Sequence, residues 1–382
     1  MDEISVAIIG KLLILASLAG SALLAWAVML MGRFDRRDSA TTAPAPVSLL
    51  KPLHGAEPGL KDHLATFLRQ DWRAEVQLVC GVKRADDPAV AIVERLRSEA
   101  PEARIDLAAG APDLGANAKI ANLANIAKLA RHDILIQSDS DIAAPPDYLA
   151  RIVGALAKPG VGAVTCLYRG HGRDSIWARL VALGIDLHFL PSALIGLATG
   201  LGHPCMGSTI ALRRETLERI GGFEAFADVL ADDHAIGAAV RKLGLTVAVP
   251  DLLVTHDCSE RSFAELWRHE QRWNATIIGI DPGGYAGSIV LQPLPLALIG
   301  GTLAGFSPLA CGAVTLAVGA RMGLALRLGH RSAGTLMLVP LRDFVSFAIF
   351  VTSWFARSVD WRGAQLSIES RGRVSAKVEK SQ

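Results

Sequence analysis

Two aspartates with one residue between them, Asp139 and Asp141, follow the apolar run Ile134-Leu135-Ile136-Gln137. Carboxylates side by side at the end of a buried strand offer hard oxygens to Mg2+ or Mn2+, and a diphosphate would complete the ion's shell. Further along stand Asp232 and Asp233, and then His269-Glu270-Gln271-Arg272-Trp273. Transfer of a sugar to an alcohol needs a base that takes the hydroxyl proton during attack, a role open to Asp233. Arg272 carries a planar fork of donors suited to diphosphate oxygens, and Trp273 a flat wall for a sugar or acceptor. The set points to glycosyl transfer from a nucleotide diphosphate.

Each piece has a plainer reading. Asp-Ser-Asp also makes a turn closed by side-chain bonds to its own backbone. Asp86 and Asp87 suit the cap of a helix starting at Pro88, and Asp87 equally suits the ribose or base of a nucleotide. Asp232 and Asp233 suit the first turn of a helix over 235–243. Lys119, in Asn117-Ala118-Lys119 with Asn122 beyond, is either a solvated lysine or a contact to phosphate or uracil. His188, two residues after Asp186, is either a partly buried structural histidine or part of an acceptor groove. Arg and Trp are also common at membrane interfaces, a reading that suits Trp267 and Arg268 better than Arg272 and Trp273.

The elements that must position these residues alternate. Strands are expected at 47–50, 76–82, 103–107 and 134–137, with helices at 59–70, 88–100, 118–130 and 263–273. This predicts an α/β domain over 47–280, a mostly parallel sheet with helices on both faces and its ligand beyond the carboxyl ends of the strands. Neither a Gly-x-Gly-x-x-Gly after the first strand nor a Gly-Lys-Ser/Thr loop is present, which excludes the dinucleotide and P-loop classes.

The chain has 382 residues, 51% hydrophobic, with mean hydropathy +0.34. A net charge of +2 provides no basic field for nucleic acid. The five scattered cysteines form neither a disulfide framework nor a zinc pattern, consistent with a reducing compartment. Leu12–Gly32 lacks charge and is long enough to cross a bilayer, so residues 1–35 are expected to be a retained anchor. Arg33, Arg36 and Arg37 follow it, which puts the N-terminus outside and the catalytic domain in the cytoplasm, at the inner membrane. Thr41–Pro46 reads as a stiff linker.

Pro282–Ala320 is uncharged and too long for one span, so it is expected to fold back at Gly305-Phe306-Ser307-Pro308 into spans at 286–304 and 308–326. Arg321, Arg327 and Arg331 then mark a cytoplasmic return. A third segment, 333–356, carries Arg342-Asp343, a pair that needs internal partners or a polar cavity at that depth. Three full spans within 284–356 would place the basic tail 357–382 outside, so the third is expected to be re-entrant or interfacial. Pro191–Leu201 is too short to span and is expected at the membrane surface or along an acceptor groove.

The segments Val47-Ser48-Leu49-Leu50-Lys51-Pro52-Leu53-His54-Gly55, Asp86-Asp87-Pro88-Ala89, Asn117–Asn122, Asp139-Ser140-Asp141, Ala231-Asp232-Asp233 and Arg272-Trp273 stand in characteristic order and spacing. In them the chain resembles the ceramide glucosyltransferase family of membrane-bound inverting glycosyltransferases, whose bacterial members include hopanoid-biosynthesis-associated enzymes. The resemblance covers 47–280 and extends into the flanking apolar segments. It implies a nucleotide-diphospho-sugar transferase domain of GT-A type, a UDP-sugar donor of glucose or N-acetylglucosamine, and a lipid acceptor such as ceramide or a hopanoid polyol. The family's successive aspartates fall on Asp87, Asp139 and Asp233, the last being the base. Its acceptor-region histidine falls on His188. Its closing motif starts with Gln or Arg, a place taken here by His269, while Arg272-Trp273 is kept. Two rivals are a processive polysaccharide synthase, disfavoured by His269 and the short membrane region, and a silent nucleotide-sugar-binding scaffold.

Overall fold

The computed structural model describes residues 3–35, 43–172, 174–356, 358–361, 364–368 and 374–376. Arg36, Arg37, Thr41, Thr42 and the tail residues Arg371, Arg373, Lys377 and Lys380 lie outside them. The chain opens with α1 (Glu3–Leu30), then alternates through β1 (Val47–Leu53), α2 (Leu60–Leu68), β2 (Val76–Val82), α3 (Ala89–Glu99), β3 (Arg104–Ala109), α4 (Ala118–Ala127) and β4 (Ile134–Gln137). There follow β5 (Ile142–Ala143), α5 (Tyr148–Leu156), β6 (Val161–Thr165), β7 (Leu167–His171), α6 (Ile176–Gly184), a π-helical turn over 185–189 and α7 (Leu190–Thr199). Next come β8 (Ile210–Arg213), α8 (Arg214–Arg219), α9 (Asp232–Lys242), β9 (Thr246–Ala248), β10 (Leu253–Asp257) and α10 (Phe263–Ile280). The C-terminal part holds α11 (Pro282–Gly287), α12 (Pro293–Ala304), α13 (Pro308–Arg327), α14 (Ala333–Ser353) and a small antiparallel sheet of β11 (Ser358–Trp361), β12 (Ala364–Ile368) and β13 (Val374–Ala376).

The main sheet runs β3-β2-β1-β4-β8-β6-β9. Its first four strands are parallel, and only β8 opposes its neighbours. All of β1 is buried. Alternate residues face opposite layers, as the strand period of two requires. Leu49, Leu78 and Ile136 pack on α2, α3 and α5, while Leu50, Val79 and Leu135 pack on α4 and α9. Because both faces are apolar, hydrophobicity alone does not fix the register of β1. Buried polar side chains fix it: Ser48 Oγ donates to Gln77 Oε1 at 2.6 Å, and Gln77 donates to the Leu129 carbonyl. A slip of one residue would strand them unbonded.

The expected mixed, mostly parallel sheet with helices on both faces and apolar helices at both ends is therefore present, and the expected elements recur within a few residues. The exception is the helix expected to end at Trp273, which runs on to Ile280 before Pro282.

The apolar helices differ more. Among the described residues, four stretches are long and apolar enough to cross a membrane: Glu3–Phe34, Ile176–Thr199, Pro308–Arg327 and Ala333–Ser353. Ile176–Thr199 replaces the short apolar patch at 191–201. The helix continues through Asp186 and His188 because both find internal partners. The segment expected to span at 286–304 is instead broken, with Pro282–Leu291 and Pro293–Ala304 meeting at 73°. Within the segment 333–356, α14 is an unbroken helix long and apolar enough to cross a membrane. The expected turn at 305–308 is present, with Ser307 capping α13. Arg321, read as part of a cytoplasmic cluster, is buried, and its Nε lies 2.9 Å from Asp343 Oδ1. Close backbone approach joins α1 to the C-terminal helices: a Cβ at Gly10 would sit 2.7 Å from the Ala304 nitrogen.

Candidate active site

The turn Ser138–Asp141 leaves the end of β4 and leads into β5. Three supports hold it. Lys51, fully buried in β1, donates to Ser138 Oγ at 3.0 Å and to the Asp139 carbonyl at 2.8 Å. Ser140 Oγ donates to Glu57 Oε2. The Asp257 amide of β10 donates to the Asp141 carbonyl at 2.9 Å. Burial lowers the Lys51 pKa to about 7 against the opposing pull of Asp139 and Asp141. The turn reading of Asp-Ser-Asp is thus only half of the matter, since both carboxylates remain about a third exposed, at 34% and 38%.

Asp139 Oδ1 meets Lys119 Nζ at 2.6 Å. Lys119 is held there because Asn117 caps α4, accepting from the Ile120 amide, while its amide group donates to the Val229 carbonyl and to Asp232 Oδ1. One asparagine therefore ties the start of α4 to the start of α9. Lys119 Nζ also lies 3.6 Å from Asp232 Oδ2. Asn122 has a structural task, donating to the Gly81 carbonyl of β2.

Asp233 stands in the first turn of α9, as the helix-terminus reading requires. Its Oδ2 accepts from the Gly207 amide at 3.0 Å and its Oδ1 from the His234 amide at 2.7 Å. Gly207 in turn closes on the first pair, since a Cβ there would lie 2.8 Å from both Asp139 Oδ2 and Lys119 Nζ. Around this glycine, Asp139, Lys119, Asp232 and Asp233 form one cleft from segments far apart in sequence.

Burial raises the pKa of Asp233, of Asp232 and of Asp139, with Lys119 opposing in each case. For Lys119 itself burial works downward, but Asp139, Asp232 and Asp233 together push it well above the ordinary lysine value. Asp141 is shifted the other way. Burial would raise it, and the charges of His256, His269, Lys51 and Lys119 outweigh burial and hold it low.

The far wall of the cleft comes from β10 and α10. His256 Nε2 is 3.3 Å from Asp141 Oδ2. Ser262 caps α10, accepting from the Glu265 amide. One turn along, His269 bonds Glu260 through Nδ1 and meets Trp273 edge-on, with ring centres 4.2 Å apart. Trp273 also meets His256 edge-on at 5.8 Å. Half-buried Arg272 is on the same side of the helix as His269 and Trp273 by the three- and four-residue spacing.

Two of the expected site residues stand apart from this cluster. Asp87 Oδ1 accepts from the amides of Gly55 and Ala89, both at 2.9 Å, so its capping task is real. It joins the loops that follow two adjacent parallel strands, β1 and β2. His188 Nε2 lies 3.0 Å from Asp343 on α14, within the polar contacts of the apolar helices. Its neighbour Phe189 is the one that turns toward the cleft, stacking on Tyr168 at 4.5 Å, which in turn lies 5.6 Å from His256.

Sequence reasoning passed over Lys51, His256, Glu260 and Gly207 as functional residues. Lys51 did leave a signal, the lone charge inside a strand that is buried along its whole length. The others follow only from which loops the sheet brings together.

The donor set suits a divalent cation. Asp139 and Asp141 supply hard oxygens, and Asp141 Oδ1 is buried without a hydrogen-bond partner. Among the described residues no three His, Cys, Asp or Glu side chains converge to hold a metal alone.

A profile of glycosyl transferase family 21 matches residues 11–374. The chain belongs to this family. It is similar to two curated proteins of Caenorhabditis elegans. Ceramide glucosyltransferase 1 is 22% identical over 86% of this chain and 72% of its own length. Ceramide glucosyltransferase 3 is 24% identical over 68% of this chain and 56% of its own length. Among solved structures, the mannosyltransferase PcManGT from Pyrobaculum calidifontis, in complex with GDP-Man and Mn2+, shares the fold. It has a TM-score of 0.53 at 21% identity, covering 92% of this chain and 98% of its own. The family 21 chain is thus a glycosyltransferase with a GT-A-like fold and several helices able to cross a membrane.

Proposed function

We propose that this glycosyltransferase moves a hexose, glucose or N-acetylglucosamine, from a UDP-sugar to the hydroxyl of a lipid such as ceramide or a hopanoid polyol, inverting the anomeric carbon. The observation that carries the proposal is the convergence of Asp139, Lys119, Asp232 and Asp233 on Gly207, beside the open edge of Asp141.

Asp233 takes the acceptor's proton as its oxygen attacks the anomeric carbon from the face opposite the departing UDP. Two backbone amides aim its carboxylate, and its raised pKa makes it a better base than an exposed aspartate. Lys119 lies where a diphosphate would approach Asp139, and Asp87 lies at the strand ends where a uridine would be seated. Asp139 and Asp141 would hold Mg2+ or Mn2+, which supplies positive charge against the leaving diphosphate. Arg272 adds donors for the same charge, and Trp273 walls the sugar site.

The membrane arrangement supports a lipid acceptor. Arg33, at the end of the first apolar helix, donates to Asp251 of the catalytic domain, so that end of α1 is on the domain's side. Positive residues there favour a multi-pass protein of the inner membrane with its domain in the cytoplasm, where UDP-sugars are made. His188 remains a residue of the acceptor side through Phe189. The test is UDP release by the purified protein from UDP-glucose and UDP-N-acetylglucosamine, with ceramide and with polyol lipids, and mass spectrometry of the product. A labelled lipid one hexose heavier is expected. A long polymer, or no transfer with any lipid, would refute the reading.

A further inference from the structure

The residue next to His269 does something the functional reading has not used. Glu270 is 6% exposed and its side chain reaches toward α14. Its two carboxylate oxygens accept from both terminal nitrogens of Arg342, the Nη1 contact being 2.8 Å. Arg342 sits midway along α14 and is 2% exposed. Gly184, the last residue of α6, makes room for it, since a Cβ there would lie 2.7 Å from the guanidinium carbon. Helices α6, α10 and α14 thus meet around one bidentate ion pair. Higher up, the Tyr285 hydroxyl reaches Asn274 Oδ1 of α10 at 2.9 Å and the Phe350 carbonyl of α14 at 3.1 Å.

A bidentate guanidinium–carboxylate pair fixes direction as well as distance. On α10, rotation is what matters. His269, Arg272 and Trp273 share a side, and only one setting of the helix puts Trp273 and His269 against His256 and the Asp141 edge. Buried ion pairs are poor sources of stability compared with apolar residues of the same volume, and their best-attested use is fixing register.

We propose that the Glu270–Arg342 pair is a positioning device. It sets the rotation of α10 so that His269, Arg272 and Trp273 face the acidic cleft, and it links the seating of α14 among the membrane helices to sugar transfer. The proposal rests on the functional reading above for its kinetic consequence and on geometry alone for its structural one.

The test uses the full chain in lipid nanodiscs. Glu270→Met with Arg342→Met removes both charges together and leaves no buried charge unpaired. Thermal melting near that of the wild type is expected, with kcat at least tenfold lower, donor KM within threefold, and faster amide exchange across 269–273. Arg342→Lys keeps the charge without the fork and is expected to fall between. Gly184→Ala keeps both charges and crowds the guanidinium, so it supplies the same readouts should the double variant not fold. Wild-type kcat together with wild-type exchange in the double variant, or in Gly184→Ala, would overturn the proposal. A wild-type protein that transfers no hexose would sink the functional reading alone, and the exchange measurement would still decide the positioning role.

Discussion

Asp233→Asn separates the two tasks of this side chain. The change keeps shape and volume. In the folded protein the carboxylate accepts two backbone amides, from Gly207 at 3.0 Å and His234 at 2.7 Å. An asparagine keeps one acceptor oxygen, and its amide group must face the other donor. The structural cost is therefore one unsatisfied bond, about 1–3 kcal/mol. Relief of repulsion from Asp139 offsets part of it, since that charge is one of those raising the Asp233 pKa. The catalytic cost is larger. Loss of a general base lowers rates by about 10²–10⁴-fold, which corresponds to about 3–5 kcal/mol of transition-state stabilisation. The assay is kcat for UDP release in the presence of lipid acceptor, alongside circular dichroism melting. The expected result is a folded protein with kcat down at least a hundredfold and donor binding retained. Asp232→Asn is the comparison: Asp232 is 5% exposed and engaged with Asn117, so a loss of less than about tenfold is expected, well under that for a general base. An Asp233→Asn protein within threefold of wild-type kcat would refute the base assignment and leave Asp233 as a helix-terminus acid.

Lys119→Met removes the cation that lowers Asp139, Asp232 and Asp233. Their pKa values then rise further, so the acid limb of the kcat/KM profile, which tracks ionisation of the base, should move to higher pH; an unmoved limb would disprove the coupling. Gly207→Ala puts a methyl 2.8 Å from both Asp139 and Lys119, and transfer should fall by about a hundredfold through misplacement; unchanged turnover would place the reaction elsewhere. Chelation with EDTA should stop transfer, and added Mg2+ or Mn2+ should restore it, with the circular dichroism spectrum unaltered, because Asp139 and Asp141 lie in the turn beyond the carboxyl end of β4 and not within the strand. Full turnover in EDTA would remove the metal from the proposal.

The pattern of apolar runs was enough to place β2 and β4, and the alternation with helices was enough for the class of sheet. These features are local, with periods of two and 3.6 residues that show in a single segment. The acidic set was legible as a candidate for the same reason, because its place after an apolar run shows in a single segment, although the same residues also suited turns and helix ends. Where the chain is read against its partners, the sequence was less informative. Asp186, His188, Arg321 and Asp343 look like interruptions of apolar helices. Folding brings Asp343 to both His188 and Arg321 and brings His330 to Asp186, so Ile176–Thr199 becomes a continuous stretch and Arg321 moves inside. His256 and Glu260 gained their place beside Asp141 and His269 only when β10 paired with β5.

Residue types and their order alone determined the chemistry on offer: a pair of carboxylates fit for a cation and diphosphate, a later one fit to be a base, and apolar lengths fit for a bilayer. Tertiary structure decided which groups meet. It set Lys119 between Asp139 and Asp232, aimed Asp233 with the Gly207 and His234 amides, and turned Glu270 toward Arg342. The physical reason is range. Periodicity and capping act within a few residues, whereas desolvation and ion pairing depend on neighbours that only the packed chain supplies.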